Sequence, residues 1–179
     1  LEFRRVLFRS ICISVIGSGD ALSPQIAKIA NEVGREIAAR GAVLICGGLG
    51  GVMAEAAKGA KESGGLTIGI LPGEDPGGAN PFIDIALPTG LGFARNILVA
   101  YSGDAIIAMS GRLGTLSEIS YALLKKKPVI GIRTWNLEQL SGRIPSFDGQ
   151  VYSDSIIRCE NAKDAVDRAF VIIENKEKC

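Results

Sequence analysis

The sequence predicts a single α/β domain, built on a doubly wound and mostly parallel sheet that begins at about Ser10. Short apolar runs recur along the chain, and each is nearly continuous, as in strands that are buried on both faces. Helical patterns separate several of these runs, which indicates βαβ crossovers. Glycine-rich segments follow several runs, at the strand ends where such sheets bind ligands. The predicted fold class is therefore Rossmann-like α/β.

Five apolar runs predict the main strands, and two weaker runs complete the sheet. The main strands are expected over residues 11–16, 42–46, 66–71, 104–109 and 128–132. The weaker strands are expected over residues 83–87 and 156–159. Runs of this length, bounded by glycine, proline or polar residues, are typical of buried strands.

The helices are predicted from capping residues and from apolar residues at helical spacing. Ser23 is a candidate N-cap before Pro24 at the first helical position, and Gly41 ends that helix. A second helix is expected from Val52 to the glycine pair at 64–65. The remaining helices are expected over 91–101, over 115–127 and from Asn161 onward.

Residues 1–9 form a basic, apolar opening that matches no element of the pattern that follows. They lack an initiator Met, a continuous apolar core and a small-residue cleavage site, which argues against a signal peptide. We expect them to be a non-native extension, since they resemble translated adapter sequence. The domain is accordingly expected to occupy residues 10–179.

Composition and charge argue against several classes of function. The 179 residues carry a net charge of +1 with the charges dispersed, so no nucleic-acid surface is expected. No apolar run approaches the roughly 20 residues that a membrane span needs. The four cysteines lack metal-ligand spacing, so we expect no metal site and a reduced, cytoplasmic setting. Histidine is absent, so any general acid or base must be a carboxylate, lysine, tyrosine or cysteine.

The most informative segment is a glycine-rich loop between the second strand and the second helix. Gly47, Gly48, Gly50 and Gly51 lie directly before the helix that begins at Val52. Glycine allows a ligand to approach the main chain closely, and a helix N-terminus offers unpaired N–H groups. Together these features predict an anion site, most often one for phosphate.

A second loop of the same kind follows the strand at 104–109. It contains Gly111, Arg112, Gly114 and Thr115, again before a helical pattern. The loop after the first strand, with Gly17 and Ser18, is expected at the same sheet edge, as is the segment 73–81, a candidate lid. Two phosphate-competent loops in one small domain indicate a nucleotide-like ligand bound across them.

Two common phosphate-binding motifs are absent. The segment that begins at Gly17 has Leu22 where the third glycine of a dinucleotide fingerprint belongs. No G-K-[ST] sequence exists, so a P-loop is also excluded. NAD enzymes and P-loop NTPases are therefore not expected.

The glycine motifs resemble those of the LOG ("lonely guy") family and its lysine-decarboxylase-like relatives. The segment 47–53 followed by 69–73 is similar to the first family motif, and 111–118 is similar to the P-G-G-x-G-T-x-x-E motif. The segment 92–96 contains an arginine where the family has one. Within the family, the chain is most similar to the molybdenum-cofactor-carrier-like branch. The ligand-binding residues expected from the loops and the resemblance are Gly17, Ser18, Gly47, Gly48, Gly50, Gly51, Met53, Arg95, Asn96, Gly111, Arg112, Gly114 and Thr115.

The resemblance implies two functions. In the carrier-like branch the site binds a phosphorylated pterin, so we expect a phosphorylated nucleotide-like or pterin-like small molecule, with the molybdenum cofactor as a candidate ligand. In the LOG enzymes an arginine and a glutamate act in cleaving the N-glycosidic bond of a nucleoside 5′-monophosphate. Those roles would fall on Arg95 and Glu118, and this reaction needs no cofactor. The hydrolase is the alternative interpretation.

Two features leave the function of the second loop open. Ser110 and Arg112 replace Pro and Gly of the hydrolase motif, and the Arg112 side chain either blocks the ligand or pairs with its phosphate. Thr115 and Glu118 also match a T-x-x-E capping box, which stabilises a helix start without any chemistry.

The apolar surface of two predicted helices indicates an oligomer. The helix at 91–101 and the following one at 116–124 carry apolar residues around more of their circumference than one core-facing stripe requires. Such surface in a soluble protein usually marks an interface. We expect a homodimer or a dimer of dimers that packs through these helices.

Overall fold

The computed structural model describes residues 10–137 and 156–177, and these form a parallel α/β fold. The expectation about residues 1–9 lies outside the described residues. The strands are β1 (Cys12–Gly17), β2 (Val43–Cys46), β3 (Thr67–Leu71), β4 (Ile85–Pro88), β5 (Ala105–Met109), β6 (Val129–Ile132) and β7 (Ile156–Arg158). The helices are α1 (Pro24–Ala39), α2 (Val52–Glu62), α3 (Asn96–Ser102), α4 (Leu113–Leu124) and α5 (Ala162–Glu177).

The seven strands form one sheet in the order β4-β3-β2-β1-β5-β6-β7, and every neighbouring pair is parallel. The chain builds outward from β1 to β4, then returns to the other side of β1 to place β5. The direction of winding therefore reverses between β1 and β5. In open α/β sheets this reversal opens a crevice at the carboxyl ends of the two strands.

Helices cover both faces of the sheet. One core cluster joins β-strand side chains such as Ile13 to apolar residues of α1, α2 and α5, including Val33 and Val166. The other cluster joins Ile106 to α3 and α4 through Val99 and Ile119. Strands buried on both faces explain why their sequences are continuous apolar runs. The predicted fold class is confirmed.

The predicted α1 start is also confirmed. Ser23 is the N-cap, and its side chain accepts a hydrogen bond from the Ile26 N–H, with Pro24 opening the helix. The N-cap hydroxyl and the proline act as the sequence pattern predicts.

Two predicted helices differ from those in the structure. The helix expected over 91–101 is a 3-10 turn (Gly92–Arg95) followed by the shorter α3. Gly92 has a φ of +54°, outside the right-handed helical region, so a continuous α-helix cannot include it. The helix expected over 115–127 begins two residues earlier, at Leu113, and ends at Leu124.

Within the described residues, no helix is long and apolar enough to cross a membrane.

Candidate functional site

A cleft of about 400 Å³ opens at the carboxyl ends of β1 and β5. Gly17 and Met109, the last residues of these strands, are paired in register, and the chain diverges from there into the two loops that flank the cleft. A Cβ at Gly17 would lie 2.3 Å from the Met109 carbonyl oxygen, so the strands approach this closely only because Gly17 has no side chain. The cleft therefore lies at the topological switch point that the strand order creates.

The first glycine loop supports the residues that line the cleft. Gly48 and Gly51 have φ values of +72° and +61°, a region that favours glycine. A Cβ at Gly51 would lie 2.1 Å from the Ser18 carbonyl oxygen, and the same oxygen accepts a hydrogen bond of 2.9 Å from the Val52 N–H. The N-terminus of α2 is thus joined to the loop after β1, and the loop residue that reaches the cleft is Leu49.

Gly47 makes room for a buried arginine. A Cβ at this position would lie 2.4 Å from Nη2 of Arg95 and 2.8 Å from Sδ of Met53. Arg95 is 7% exposed, and its Nη2 donates to the Gly47 carbonyl at 3.2 Å. Glycine is required at position 47 because the Arg95 guanidinium occupies the space that a side chain would fill there.

Arg95 and Glu118 meet inside the cleft. Arg95 ends the 3-10 turn before α3, and Glu118 lies in α4, with 3.5 Å between Nη1 and Oε1. Asn96 orients the arginine, since its Oδ1 accepts from Nη1 while its Nδ2 donates to the Ser117 hydroxyl at 2.9 Å. The packing of α3 on α4 therefore holds an ion pair that also lines the ligand cleft.

Burial shifts the pKa of both partners. It raises the pKa of Glu118 to about 7, although the positive charge of Arg95 acts in the opposite direction. Burial also lowers the pKa of Arg95. The Nε atom of Arg95 is buried and finds no hydrogen-bond partner within the described part of the chain. A carboxyl group with such a pKa exchanges protons near neutral pH, as a general acid or base must.

The capping-box interpretation of Glu118 is wrong. The helix starts at Leu113 with Arg112 as N-cap, so Thr115 and Glu118 lie inside the helix rather than at its boundary. Both are buried, with exposures of 3% and 6%. The carboxylate pairs with Arg95 instead of a backbone N–H.

The second glycine loop has left-handed backbone conformations, and hydrogen bonds from the segment after β6 hold it in place. Ser110 and Gly111 have φ values of +54° and +103°, and a Cβ at Gly111 would lie 2.3 Å from the Thr115 hydroxyl oxygen. Behind the loop, the Thr134 hydroxyl donates to the Ser110 carbonyl at 2.8 Å, and the Trp135 indole N–H donates to the Arg112 carbonyl at 3.2 Å. This geometry directs the first turn of α4 toward the cleft.

The Arg112 side chain lies at the mouth of the cleft. Its Nη1 is 3.4 Å from Oδ2 of Asp20, in the loop after β1 on the facing wall. The two side chains are 84% and 59% exposed. The mouth is thus spanned by a solvated ion pair.

The remaining walls are mostly apolar. Leu49 and Met53 come from the α2 side, and Pro72 and Phe93 come from the segments after β3 and β4. The polar groups concentrate at Arg95, Glu118 and the start of α4.

Most of the predicted ligand-binding residues line this cleft, but the glycines of the first loop do not. The predicted residues among those that line it are Gly17, Ser18, Met53, Arg95, Asn96, Arg112, Gly114, Thr115 and Glu118. Gly47, Gly48, Gly50, Gly51 and Gly111 are not among the described lining residues, and neither are residues 73–81 of the candidate lid.

Sequence reasoning missed Phe93 and Asn80. Phe93 is 88% exposed at the cleft, and its place after a strand end was the available signal. Asn80 donates from Nδ2 to the carbonyls of Gly48 and Leu49, at 3.2 and 2.8 Å. No sequence pattern pointed to that brace. Among the described residues, no three Cys, Asp or Glu side chains converge as metal ligands.

The fold resembles solved structures along almost its whole length. The molybdenum cofactor binding protein of the phototrophic bacterium Rippkaea orientalis is 36% identical, with a TM-score of 0.82 over 93% of this chain and 99% of that one. The molybdenum cofactor carrier protein of Chlamydomonas reinhardtii is 34% identical, with a TM-score of 0.77 over 93% and 99%.

A plant relative is similar in sequence. A rice (Oryza sativa subsp. japonica) protein, named as a probable cytokinin riboside 5′-monophosphate phosphoribohydrolase, is 31% identical over 117 residues. This alignment covers 63% of the chain, which spans only half the length of the rice protein.

The model of the SLOG cluster4 family matches residues 10–166, which include every element that forms the cleft. The chain therefore belongs to the SLOG cluster4 family, within the LOG-like superfamily, and it is similar along almost its whole length to molybdenum-cofactor-carrier-like members.

Proposed function

We propose that this protein binds a phosphorylated pterin-like or nucleotide-like small molecule in the cleft at the switch point. The observation that carries the proposal is the division of the cleft into an apolar part and an anion-binding part. Leu49, Met53 and Phe93 offer apolar surface to a flat ring. Gly114 and Thr115, in the first turn of α4, lie where a helix N-terminus favours phosphate.

The molybdenum cofactor is the leading candidate for the ligand. Two solved structures that resemble this chain over 93% of its length are named for binding or carrying it. The cleft suits a phosphorylated pterin, since the ring would contact the apolar walls and the phosphate would meet the start of α4. The cofactor would be cargo rather than a reagent, so carriage requires no chemistry from Glu118.

Calorimetric titration tests the binding proposal. The panel contains AMP, GMP and a molybdopterin-type ligand, with adenosine and guanosine as unphosphorylated controls. We expect at least one phosphorylated ligand to bind more tightly than its unphosphorylated counterpart. Absence of binding by any phosphorylated member at concentrations well above millimolar would contradict the proposal.

A matched pair of variants locates the site. Gly114→Asp adds a carboxylate where an added Cβ meets only Asn96 Nδ2, at 3.8 Å, and a helix N-terminus tolerates this charge. It should leave the fold intact and abolish phosphate binding by repulsion. Gly73→Asp is the control, since no described atom lies within 4 Å of an added Cβ there. Equal binding by both variants would move the site elsewhere.

A second candidate function is hydrolysis of a nucleoside 5′-monophosphate to a free base and ribose 5-phosphate. The observation that favours it is Glu118, a cleft-lining carboxyl with a pKa of about 7 beside Arg95. Its protonated form would donate to the leaving base, and water would supply the hydroxyl at the anomeric carbon. Arg95 would orient the phosphoribosyl group.

Release of free base from AMP and related monophosphates tests the hydrolase. If the wild type is active, Glu118→Gln should lower the rate by about 100-fold or more, the usual weight of a general acid. Glu62→Gln, at the exposed end of α2, removes the same charge away from the cleft and should retain full activity. No release by the wild type, or an unchanged rate in Glu118→Gln, would eliminate this function.

We further propose that the protein is a homo-oligomer, most simply a homodimer. Phe93, Leu113 and Leu91 are 88%, 75% and 52% exposed, and they flank the segments that form the cleft. A second copy packed there would cover this apolar surface. The helix over 116–124 was also expected at this interface, but its Ile119 is fully buried in the core and does not contribute.

A further inference from the structure

The ion pair between Arg112 and Asp20 joins the two walls of the cleft at its mouth. Arg112 precedes α4 on the β5 side, and Asp20 lies in the loop after β1. Both residues line the cleft. A charged ligand in the cleft would lie near this pair, so the pair can respond to the charge of the ligand.

The backbone of Arg112 is held firmly, whereas its side chain is free to move. The indole N–H of Trp135 donates to its carbonyl, and the carbonyl in turn accepts from the Leu116 N–H at 3.0 Å. Its φ of −114° is accessible to any residue, so the position does not require glycine. The side chain is 84% exposed, so the guanidinium can reorient while the backbone stays in place.

The contact with Asp20 is weak enough to be exchanged. The separation of 3.4 Å between two solvated groups indicates a weak ion pair that water and salt screen. A phosphate offers up to two negative charges and accepts a bidentate pair of hydrogen bonds from arginine. A phosphate beside the first turn of α4 would thus compete successfully with one carboxylate.

We propose that Arg112 is a phosphate-binding residue that pairs with Asp20 in the free cleft and exchanges that carboxylate for the phosphate of the ligand. The inference rests on the proposed binding of a phosphorylated molecule. Asp20 then acts as an internal competitor. A neutral ligand leaves the pair closed across the mouth, and a phosphorylated one opens it, so the exchange favours phosphorylated over unphosphorylated forms.

The alternative is that Arg112 obstructs the cleft, and substitutions separate the two roles. Arg112→Gln removes the charge with little change in length, and Arg112→Gly removes the bulk as well. Asp20→Asn removes the competitor. Arg35→Gln is the control for net charge, since Arg35 is exposed on α1 and is not among the described lining residues.

The experiment is titration of each purified full-length variant with AMP, inorganic phosphate and adenosine. We expect Arg112→Gln and Arg112→Gly to weaken AMP and phosphate binding by about fivefold to tenfold, as for the loss of one solvent-exposed charge-assisted contact. Asp20→Asn should strengthen both by about threefold, because a weak ion pair no longer has to break. Adenosine binding and Arg35→Gln should stay at the wild-type values.

The outcomes distinguish this inference from the proposed function. If the wild type binds AMP or phosphate and the Arg112 variants bind equally well, the exchange is wrong and the binding function stands. Tighter binding by Arg112→Gly would show that the arginine obstructs the cleft, and would also overturn the exchange. If the wild type binds neither AMP nor phosphate, the exchange fails, and the wider ligand panel decides the function.

Discussion

Arg95 and Glu118 form a buried ion pair in which burial opposes both charges. Each side chain is only 8% exposed, and their closest nitrogen and oxygen atoms are 3.5 Å apart. At this distance the attraction does not fully offset the loss of hydration, so the pKa of Glu118 rises to about 7. The free protein therefore holds a carboxyl group that is partly protonated at neutral pH. Such a group is suited to contact with a ligand or to proton transfer.

The raised pKa predicts that Glu118 destabilises the fold as the pH increases. The group binds a proton more tightly in the folded state, so its cost is absent below pH 4.5 and grows until the pH passes about 7. A displacement from 4.5 to about 7 corresponds to roughly 3 kcal/mol of unfolding free energy. Urea unfolding from pH 4.5 to 8 should show wild type losing stability relative to Glu118→Gln.

The exposed Glu62→Gln variant is the control for this experiment. It removes the same charge from the end of α2, outside the cleft, and should follow the wild-type pH dependence. A constant difference between wild type and Glu118→Gln across the pH range would show that Glu118 has the same pKa in the folded and unfolded states, and the argument from burial would fail.

A methyl group at Gly47 should displace Arg95. In Gly47→Ala the new Cβ would lie 2.4 Å from Nη2, at the far end of the Arg95 side chain. We expect a loss of about 1–3 kcal/mol in stability, because a filled space is overpacked. AMP binding should weaken by about tenfold, equivalent to 1.4 kcal/mol.

Gly73→Ala provides the comparison for Gly47→Ala, because no described atom lies within 4 Å of its added Cβ. Denaturation and calorimetry measure both effects. Wild-type affinity in Gly47→Ala would mean that the position of Arg95 does not matter for binding.

The types of the site residues and the strand ends near which they lie were predictable from the sequence. The residues with which they form hydrogen bonds and ion pairs were not. Arg95 was expected to contact a ligand, yet its contacts with the Gly47 carbonyl and with Asn96 depend on long-range packing. The sequence pattern of Thr115 and Glu118 fits a capping box equally well. The helix start at Leu113 and the pairing of Glu118 with Arg95 exclude it, and neither feature is determined by local sequence.

At the scale of elements, the first glycine loop depends on the segment between β3 and β4. Asn80 lies in this segment, and besides its Nδ2 contacts with Gly48 and Leu49, its Oδ1 accepts from the Phe82 N–H at 3.0 Å. Its own N–H donates to the Gly48 carbonyl at 2.9 Å. The side chain thus connects two loops that are distant in sequence, one of which sustains the close approach of Arg95.

Removal of this brace should loosen the loop without unfolding the domain. We expect Asn80→Ala to lower the unfolding free energy by about 1–2 kcal/mol, since the Leu49 carbonyl loses its side-chain donor and the Gly48 carbonyl keeps only the backbone N–H of residue 80. Amide hydrogen exchange of residues 47–51 should accelerate. Asn80→Asp keeps the acceptor for Phe82 but loses the donors, so it should loosen the loop as well. Wild-type protection in both variants would contradict the role of the brace.

Elements with continuous apolar runs were predictable because burial on both faces determines their composition. All seven strands lie within one or two residues of their expected positions. The helix expected over 91–101 was not predictable, because its apolar spacing is helical while Gly92 adopts a left-handed φ that only the tertiary structure requires.

At the scale of the whole molecule, the strand order explains where the cleft lies. Both loops that flank it follow strands on either side of the winding reversal, β1 and β5. The sheet edge was therefore predictable from topology alone. The sequence did not predict which of the two glycine loops faces the cleft. The first loop supports the site, whereas the second loop, with Arg112 and the start of α4, faces the cleft.

The exposed apolar residues near the cleft lead to the prediction about assembly. Phe93 is 88% exposed and lines the cleft, and Leu113 is 75% exposed in the first turn of α4. Apolar side chains that are exposed close together are typical of a surface that a partner covers. A homodimer that packs here would add one protomer's surface to the other's cleft, and ligand binding would then depend on assembly.

Light scattering coupled to size exclusion should return a dimer or a dimer of dimers of the 18.8 kDa chain at micromolar concentration. Phe93→Asp combined with Leu113→Asp should yield a folded monomer, because both residues are exposed and aspartate is favourable in the first turn of a helix. Val171→Asp is the control, since Val171 is 56% exposed on α5, which packs on the opposite face of the sheet. A monomeric wild type would show that one chain alone completes the cleft. A Phe93→Asp/Leu113→Asp variant that still assembles would show that the interface lies elsewhere.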